Sequence, residues 1–246
     1  MSGTMTGSGN NNGNGNATSN GNGASGTDTG NGDVTSNGNG STGTGNGNGN
    51  TTINGQPSSS GLSVFDTTTG QPVSAAPQRY TGPVAGVQEQ YIKITTDSLN
   101  ITASTPNWFI HSGSGEDAIT VSSGVNVLDG GTGSNFLVGG TGTDTFFVDD
   151  RNASADIWST VVNFHAGDSA TVWGVTPQDF SLNWVDNQGA TGYTGLTLHA
   201  TASGKPIASL SLAGFTSADL SNGRLSVTFG TDAASGSTYM YVHDNS

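Results

Sequence analysis

The chain has 246 residues and a formal net charge of −13, and Glu89 and Glu116 are the only glutamates among its 18 acidic residues. Aspartate favours loops and metal sites, whereas glutamate favours helices, so this composition favours turns over helices. The five basic residues are scattered along the chain, which excludes a patch that could neutralise a run of phosphates. Neither nucleic acid nor an anionic membrane is an expected partner.

The chain contains no cysteine and no apolar run of 18 residues, and its first residues lack both a basic region and an apolar region. We therefore expect neither a membrane span nor export through an N-terminal signal peptide. The remaining possibilities are a cytoplasmic protein and a protein secreted by a route that reads a signal elsewhere in the chain.

Residues 1–60 are almost entirely Gly, Asn, Ser and Thr. This tract is predicted to be a disordered, low-complexity tether, because it has too little apolar surface to offset the entropy cost of ordering. The alternative is a glycine–asparagine solenoid or a self-associating tract, since runs of Asn can stack. Residues 61–84 are predicted to be a linker.

Apolar residues then recur at every ninth position. They are Ile92, Ile101, Ile110, Ile119, Leu128, Leu137 and Phe146. Nine residues suit a six-residue turn followed by a three-residue strand, with successive strands on opposite sheets and one coil every 18 residues. The period predicts that alternate members of the series stack in two parallel sheets around a thin shared core.

Four consecutive nine-residue units, covering 112–147, place Gly at the fourth position, Asp or Asn at the sixth and an apolar residue at the eighth. This pattern resembles the RTX nonapeptide GGxGxDxUx of hemolysin-type calcium-binding proteins. The resemblance implies an all-β chain with a parallel β-roll, a two-sheet β-solenoid, over 85–150. Turns 18 residues apart would lie directly above each other, and a gap lined by carbonyls and carboxylates suits Ca²⁺ rather than zinc.

The predicted calcium sites lie between turns 112–117 and 130–135, and between turns 121–126 and 139–144. Asp117 and Asp144 would be the principal carboxylates. The full set of predicted metal-site residues is Gly113, Gly115, Asp117, Gly124, Asn126, Gly131, Gly133, Asn135, Gly140, Gly142 and Asp144.

The chain departs from the family pattern where Asn135 faces Asp117 and Asn126 faces Asp144. Asparagine brings an oxygen but no charge, so we expect one or two weakly held ions, with affinities of roughly 10⁻⁴ to 10⁻³ M. Such sites would fill outside a cell and stay empty in a cytosol, which makes calcium a folding switch. The alternative is a calcium-free solenoid in which both asparagines form hydrogen-bonded turns. The units from 85 to 111 lack the Gly-rich turn and are expected to bind no metal.

Residues 151–246 are predicted to form a mainly antiparallel β cap, because short runs of alternating apolar residues follow one another. The segment from Asp156 to Asp168 resembles the one that follows the repeats in serralysin-type C-terminal regions, with Asn163 where that family usually has Asp. The resemblance implies an uncleaved C-terminal signal for type I secretion machinery, and hence a secreted, extracellular protein.

No catalytic constellation is visible, so we expect a non-catalytic protein. The four histidines are far apart and form no HExxH motif. His165 with Asp156 and Asp168 is the one candidate cluster, and a solvent-facing strand histidine is its plainer interpretation. The four tryptophans either fill the core of the cap or form a platform for sugar rings; they are Trp108, Trp158, Trp173 and Trp184.

The expected function is a secreted calcium-binding β-roll module with a matrix, adhesion or surface role. Extracellular polysaccharide or matrix is a candidate partner. An extracellular carbohydrate-active enzyme or lectin-like protein is one alternative, and a calcium-independent structural or ice-binding solenoid is the other.

Overall fold

The computed structural model describes residues 61–246 in full and, before them, only the backbone of five strands. These strands are β1 (Gly3–Asn11), β2 (Ala17–Asp28), β3 (Val34–Asn37), β4 (Thr42–Gly45) and β5 (Thr51–Asn54). They pair in parallel in one sheet, where Ala17 lies opposite Val34 and Val34 opposite Thr51. The predicted disordered tether falls on this tract, whose side chains and connecting segments lie outside the described residues, so it stays a prediction.

A second unit begins at Leu62 and consists of two eight-stranded sheets. The first sheet contains β7 (Gln78–Arg79), β8 (Glu89–Thr95), β10 (Trp108–Gly113), β12 (Ser123–Asp129), β14 (Thr141–Asp149), β16 (Ser169–Trp173), β20 (Leu225–Thr231) and β21 (Thr238–Asp244). The second sheet contains β6 (Leu62–Asp66), β9 (Leu99–Ala103), β11 (Ala118–Val121), β13 (Phe136–Val138), β15 (Ile157–Val162), β17 (Ser181–Ala190), β18 (Tyr193–Thr201) and β19 (Ala208–Ala213). A short helix, α1 (Ser217–Ser221), precedes β20.

Successive strands from β8 to β14 alternate between the two sheets and pair in parallel, as the nine-residue period predicts. Ile110 lies opposite Leu128 and Leu128 opposite Phe146 in the first sheet. Ile101, Ile119 and Leu137 stack in the same way in the second sheet. All six side chains are fully buried in one hydrophobic cluster shared by both sheets. The predicted β-roll is therefore confirmed.

Ile92 was predicted to belong to this stack, and that prediction is wrong. A register shift between β8 and β10 places Tyr91 opposite Ile110 and Ile92 opposite His111. Because neighbouring residues of a strand point to opposite faces, Tyr91 is buried and Ile92 is 51% exposed. One extra residue in β8 has therefore reversed which of its side chains face the core.

Parallel pairing continues past residue 150, where the roll was predicted to end. β14 pairs with β16, and β13 pairs with β15, which pairs in turn with β19, all in parallel. Antiparallel strands close each sheet beyond that point, β21 and β20 in the first sheet and β18 and β17 in the second. The segment predicted as a linker contains β6, which pairs antiparallel with β9 at the opposite edge of the second sheet.

Candidate calcium site at the corners of the roll

Four polar residues at the sixth positions of the nine-residue units point into the roll. Asp117, Asn126, Asn135 and Asp144 are each at most 3% exposed. A buried polar group lowers stability unless it is hydrogen-bonded or bound to an ion. The partners of these four side chains therefore decide what the corners of the roll can bind.

At one corner, each sixth-position side chain accepts a hydrogen bond from the coil before it. Asp117 Oδ1 accepts from the N–H of Leu99 at 2.7 Å, and Asn135 Oδ1 accepts from the N–H of Asp117 at 3.0 Å. Both donors lie 18 residues earlier in the chain. The side chains thus form a ladder that ties successive turns together without any ion.

A second ladder runs along the opposite corner. Asn126 Oδ1 accepts from the N–H of Trp108 at 2.9 Å, and the Asn126 amide donates to Asp144 Oδ1 at 2.7 Å. Asp144 Oδ2 accepts from the N–H of Gly140 at 2.7 Å. Both carboxylate oxygens of Asp144 therefore already have protein donors.

The corner around Asp117 differs, because Asp117 Oδ2 is buried and has no hydrogen-bond partner. Two other buried oxygens in the same state lie nearby, the hydroxyls of Ser112 and Tyr91. Ser112 is close enough to lower the pKa of Asp117, and the charge of Asp117 raises the pKa of Tyr91, which burial raises most. Three buried oxygens thus gather beside one pair of stacked turns, and among them the Ser112 hydroxyl is near enough to Asp117 to act as its hydrogen-bond donor.

Burial raises the pKa of Asp117, and the Ser112 hydroxyl and the N–H of Leu99 offset that effect only in part. Burial also raises the pKa of Asp144, against hydrogen bonds from Asn126 and Gly140. Each carboxylate is therefore less stable as an anion than it would be in water. A cation beside either group would reverse the sign of the shift.

Glycine is required where the turns at this corner lie above each other. A Cβ atom at Gly131 would overlap the carbonyl oxygen of Gly113, and one at Gly133 would overlap that of Gly115. Gly131 also has a φ of 70°, which L side chains rarely adopt. The absence of side chains lets the carbonyl oxygens of one turn lie against the backbone of the next, where the carbonyl of Gly113 accepts from the N–H of Thr132 at 3.0 Å.

The turns at the Asp144 corner stack as closely but belong to the sheet. A Cβ at Gly142 would overlap the carbonyl oxygen of Gly124, so glycine is required at this corner as well. Strands β12 and β14 run through these turns, so that Gly124 lies opposite Gly142 and Asn126 opposite Asp144 in a continuous ladder. The predicted metal-site residues are thus brought together at two corners, of which only the Asp117 corner retains an unpaired carboxylate oxygen.

Side chains alone do not form a metal site in the described part of the chain. Within residues 61–246, no three His, Cys, Asp or Glu side chains are grouped as ligands. His165 Nδ1 lies 2.7 Å from Asp168 Oδ2, at an angle outside hydrogen-bond geometry, while Asp156 accepts from the N–H of Ile207 instead. An ion at the Asp117 corner would therefore take most of its ligands from the backbone.

Two residues at this corner were not predicted from the sequence. Ser112 occupies the first position of its unit, where the units at 130 and 139 have Gly, and that departure is the only sequence signal for it. Tyr91 reaches the corner because of the register shift between β8 and β10, for which the sequence shows no sign.

The tryptophans do not form a single platform. Trp108 is fully buried in the core, and Trp173 lies on the first sheet, whereas Trp158 and Trp184 lie on the second.

Among the residues that the structure describes, no helix is both long and apolar enough to span a bilayer. No protein-family model matches the chain, and no curated protein matches it significantly.

Proposed function

We propose that this protein is a secreted calcium-binding β-roll module of the RTX type, with a non-catalytic role at a matrix or cell surface. The observation that supports this most directly is the unpaired, buried oxygen Oδ2 of Asp117. Asp117 Oδ1 accepts from the N–H of Leu99, but burial still raises the pKa of the carboxyl group, so a proton or a cation beside Oδ2 would stabilise it.

Calcium suits the chemistry of this corner better than other common metals. The groups at this corner that could bind an ion are oxygens: the Asp117 carboxylate, the Ser112 hydroxyl and the carbonyl groups of the glycine turns, of which that of Gly113 also accepts from the N–H of Thr132. Calcium accepts six to eight oxygen ligands in flexible arrangements, whereas zinc prefers nitrogen and sulfur. Bound there, calcium would neutralise the negative charge of the Asp117 carboxylate.

The same chemistry makes calcium a condition for folding. The site exists only when turns 112–117 and 130–135 lie above each other, so an ion that binds it stabilises the coiled state alone. With one carboxylate in the site, we expect affinity in the range of roughly 10⁻⁴ to 10⁻³ M. The site would be empty inside a cell and filled outside it, which agrees with export through type I secretion machinery before folding.

The test is a calcium titration of the full chain followed by circular dichroism, with a metal count on the folded protein. Asp117→Asn keeps an oxygen for the N–H of Leu99 but removes the charge, and we expect it to need at least about tenfold more calcium to fold. Asp144→Asn is the comparison at the other corner, where both carboxylate oxygens accept from N–H donors. Its amide would face one of these donors, so urea unfolding at saturating calcium measures the stability that each variant loses. After correction for that loss, we expect Asp144→Asn to shift the calcium midpoint much less than Asp117→Asn.

Folding that is independent of calcium in the parent chain would contradict the proposal and favour a solenoid held by its side-chain ladders alone. An equal shift in both variants would contradict the assignment of the site to the Asp117 corner.

A further inference from the structure

The outer face of the first sheet carries a groove of about 430 Å³. Phe147, Thr171 and Tyr241 lie side by side across it on β14, β16 and β21. The two rings form opposite walls, and the small Thr171 lies on the floor between them. Both walls belong to paired strands, so the sheet fixes the distance between them.

The width of the groove suits one sugar ring. Phe147 and Tyr241 are two strand spacings apart, which is about 9.6 Å between their backbones. A pyranose ring in contact with an aromatic ring lies about 4 Å from it, so one pyranose between the two rings needs about 8 Å between them. Trp173 closes one end through edge-to-face contacts with Phe147 and Tyr239, at centroid distances of 6.1 and 5.2 Å.

The floor of the groove provides hydroxyl groups for the rim of such a ring. Thr145, Ser169 and Thr171 lie on adjacent strands and line the groove. Thr145 Oγ1 and Ser169 Oγ are 3.3 Å apart and can each act as donor or acceptor. Aromatic walls with a hydroxyl floor match the apolar faces and polar edge of a pyranose.

Charge at the groove favours a neutral ligand. Asp232 is the only charged residue among those that line the groove, and its carboxylate already accepts from the backbone and side chain of Ser235. Arg151 lies over the Trp173 ring but is paired with Asp149. With a net charge of −13 on the chain and no free cation in the groove, an acidic polysaccharide would be repelled.

We infer that this groove binds a neutral pyranose unit of an extracellular polysaccharide. The inference rests on the proposed matrix role, but the groove is separate from the calcium site, because the groove lies on the outer face of the sheet and Asp117 points into the roll. It gives the matrix role proposed above a specific ligand class and surface.

The test measures binding of cellohexaose, chitohexaose and mannohexaose to the full chain at saturating calcium, by tryptophan fluorescence and calorimetry. We expect at least one of these neutral probes to bind with a Kd of about 1 mM or tighter, and a hexagalacturonate probe to bind at least about tenfold more weakly. Tyr241→Ala should weaken binding about tenfold, whereas Tyr241→Phe, which keeps the ring, should retain most of it.

Tyr193→Ala is the matched control, because Tyr193 is an exposed aromatic residue on the second sheet. Three results would overturn the inference: no neutral probe binds, Tyr193→Ala weakens binding as much as Tyr241→Ala, or hexagalacturonate binds as well as the neutral probes. A dimer that Tyr241→Ala dissociates would also overturn it, since a second copy would then occupy the groove. Circular dichroism at saturating calcium confirms that each variant is folded.

Discussion

The backbone N–H of Asp144 donates to the carboxylate of Asp168 at 2.8 Å, although 24 residues separate the two. Leu99 donates to Asp117 in the same way across 18 residues. Asp168 therefore accepts a hydrogen bond from the preceding coil, as the sixth-position residues do within the repeat. Its other oxygen accepts from the N–H of His165 at 3.0 Å.

Replacing Asp168 with Ala should destabilise the protein by about 2–4 kcal/mol, because the N–H groups of Asp144 and His165 would lose their acceptor in a buried site. Urea denaturation at saturating calcium measures the change. Asp97→Ala is the control, since Asp97 is exposed and should change the free energy of unfolding by less than about 0.5 kcal/mol. Equal effects in both variants would show that the ladder ends before Asp168.

Gly131→Ala should lower the thermal unfolding temperature far more than Gly204→Ala. The two glycines have φ values of 70° and 74°, so both substitutions carry a similar backbone strain of about 1–2 kcal/mol. Nothing lies near a Cβ at Gly204, whereas one at Gly131 would overlap the carbonyl of Gly113. The difference between their thermal unfolding temperatures isolates the close stacking of the turns, and similar temperatures would mean that the turns can separate freely.

Ile110→Ala should lower stability by about 2–5 kcal/mol, because it removes a fully buried side chain from the stack. Ile92→Ala should change it by less than about 0.5 kcal/mol, because Ile92 lies on the outer face of its strand. Chemical denaturation of the two variants under the same conditions distinguishes them. A large loss in Ile92→Ala would contradict the register shift between β8 and β10.

Asp150→Asn should stabilise the protein at neutral pH. Burial raises the pKa of Asp150 from 3.8 to about 6, with Lys205 opposing and Asp149 adding to the shift. Because the folded pKa lies above the unfolded one, stability is greatest below about pH 4 and falls as the pH rises to about 6. Above that range the buried charge costs at most about 3 kcal/mol, less where solvent screens it, and the substitution removes this cost.

Unfolding of parent and Asp150→Asn proteins at saturating calcium should therefore differ near pH 7 and converge near pH 4. Asp232→Asn should not gain stability near neutral pH, since hydrogen bonds from Ser235 lower the pKa of Asp232. A gain from Asp150→Asn that is the same at both pH values would rule out titration of the carboxyl group as its cause.

The nine-residue period was enough to predict two parallel sheets and six of the seven stacked apolar residues, because coil length and side-chain direction are both functions of spacing. It failed at Ile92, where an extra residue in β8 shifts the register without any change in composition. It also missed the continuation of the roll into β15 and β16, because longer turns interrupt the spacing after Asp149 while the pairing remains parallel.

The candidate site was predictable in its position but not in its bonding. The spacing placed Asp117 near Asn135 and Asn126 near Asp144, as the structure has them. Which carboxylate oxygen stays unpaired depends on donors such as the N–H of Gly140, whose direction is a result of folding.

A repeat in the N-terminal tract was missed in the sequence. The sequence Thr-Ser-Asn-Gly-Asn-Gly occurs at 18–23 and again at 35–40, and the same 17-residue spacing separates the paired residues Ala17 and Val34.

Both sheets of the roll have antiparallel strands at their two edges, and these edges decide whether molecules can stack end to end. A stack of parallel coils could in principle lengthen without limit, since each new coil offers the next the same row of backbone donors and acceptors. Here β6 and β7 begin the two sheets, and β17 and β20 end them, all in antiparallel pairs. A coil from another molecule would therefore meet an edge strand that lies outside the repeating stack, and at β7 that edge is only two residues long, which disfavours continued growth of the stack.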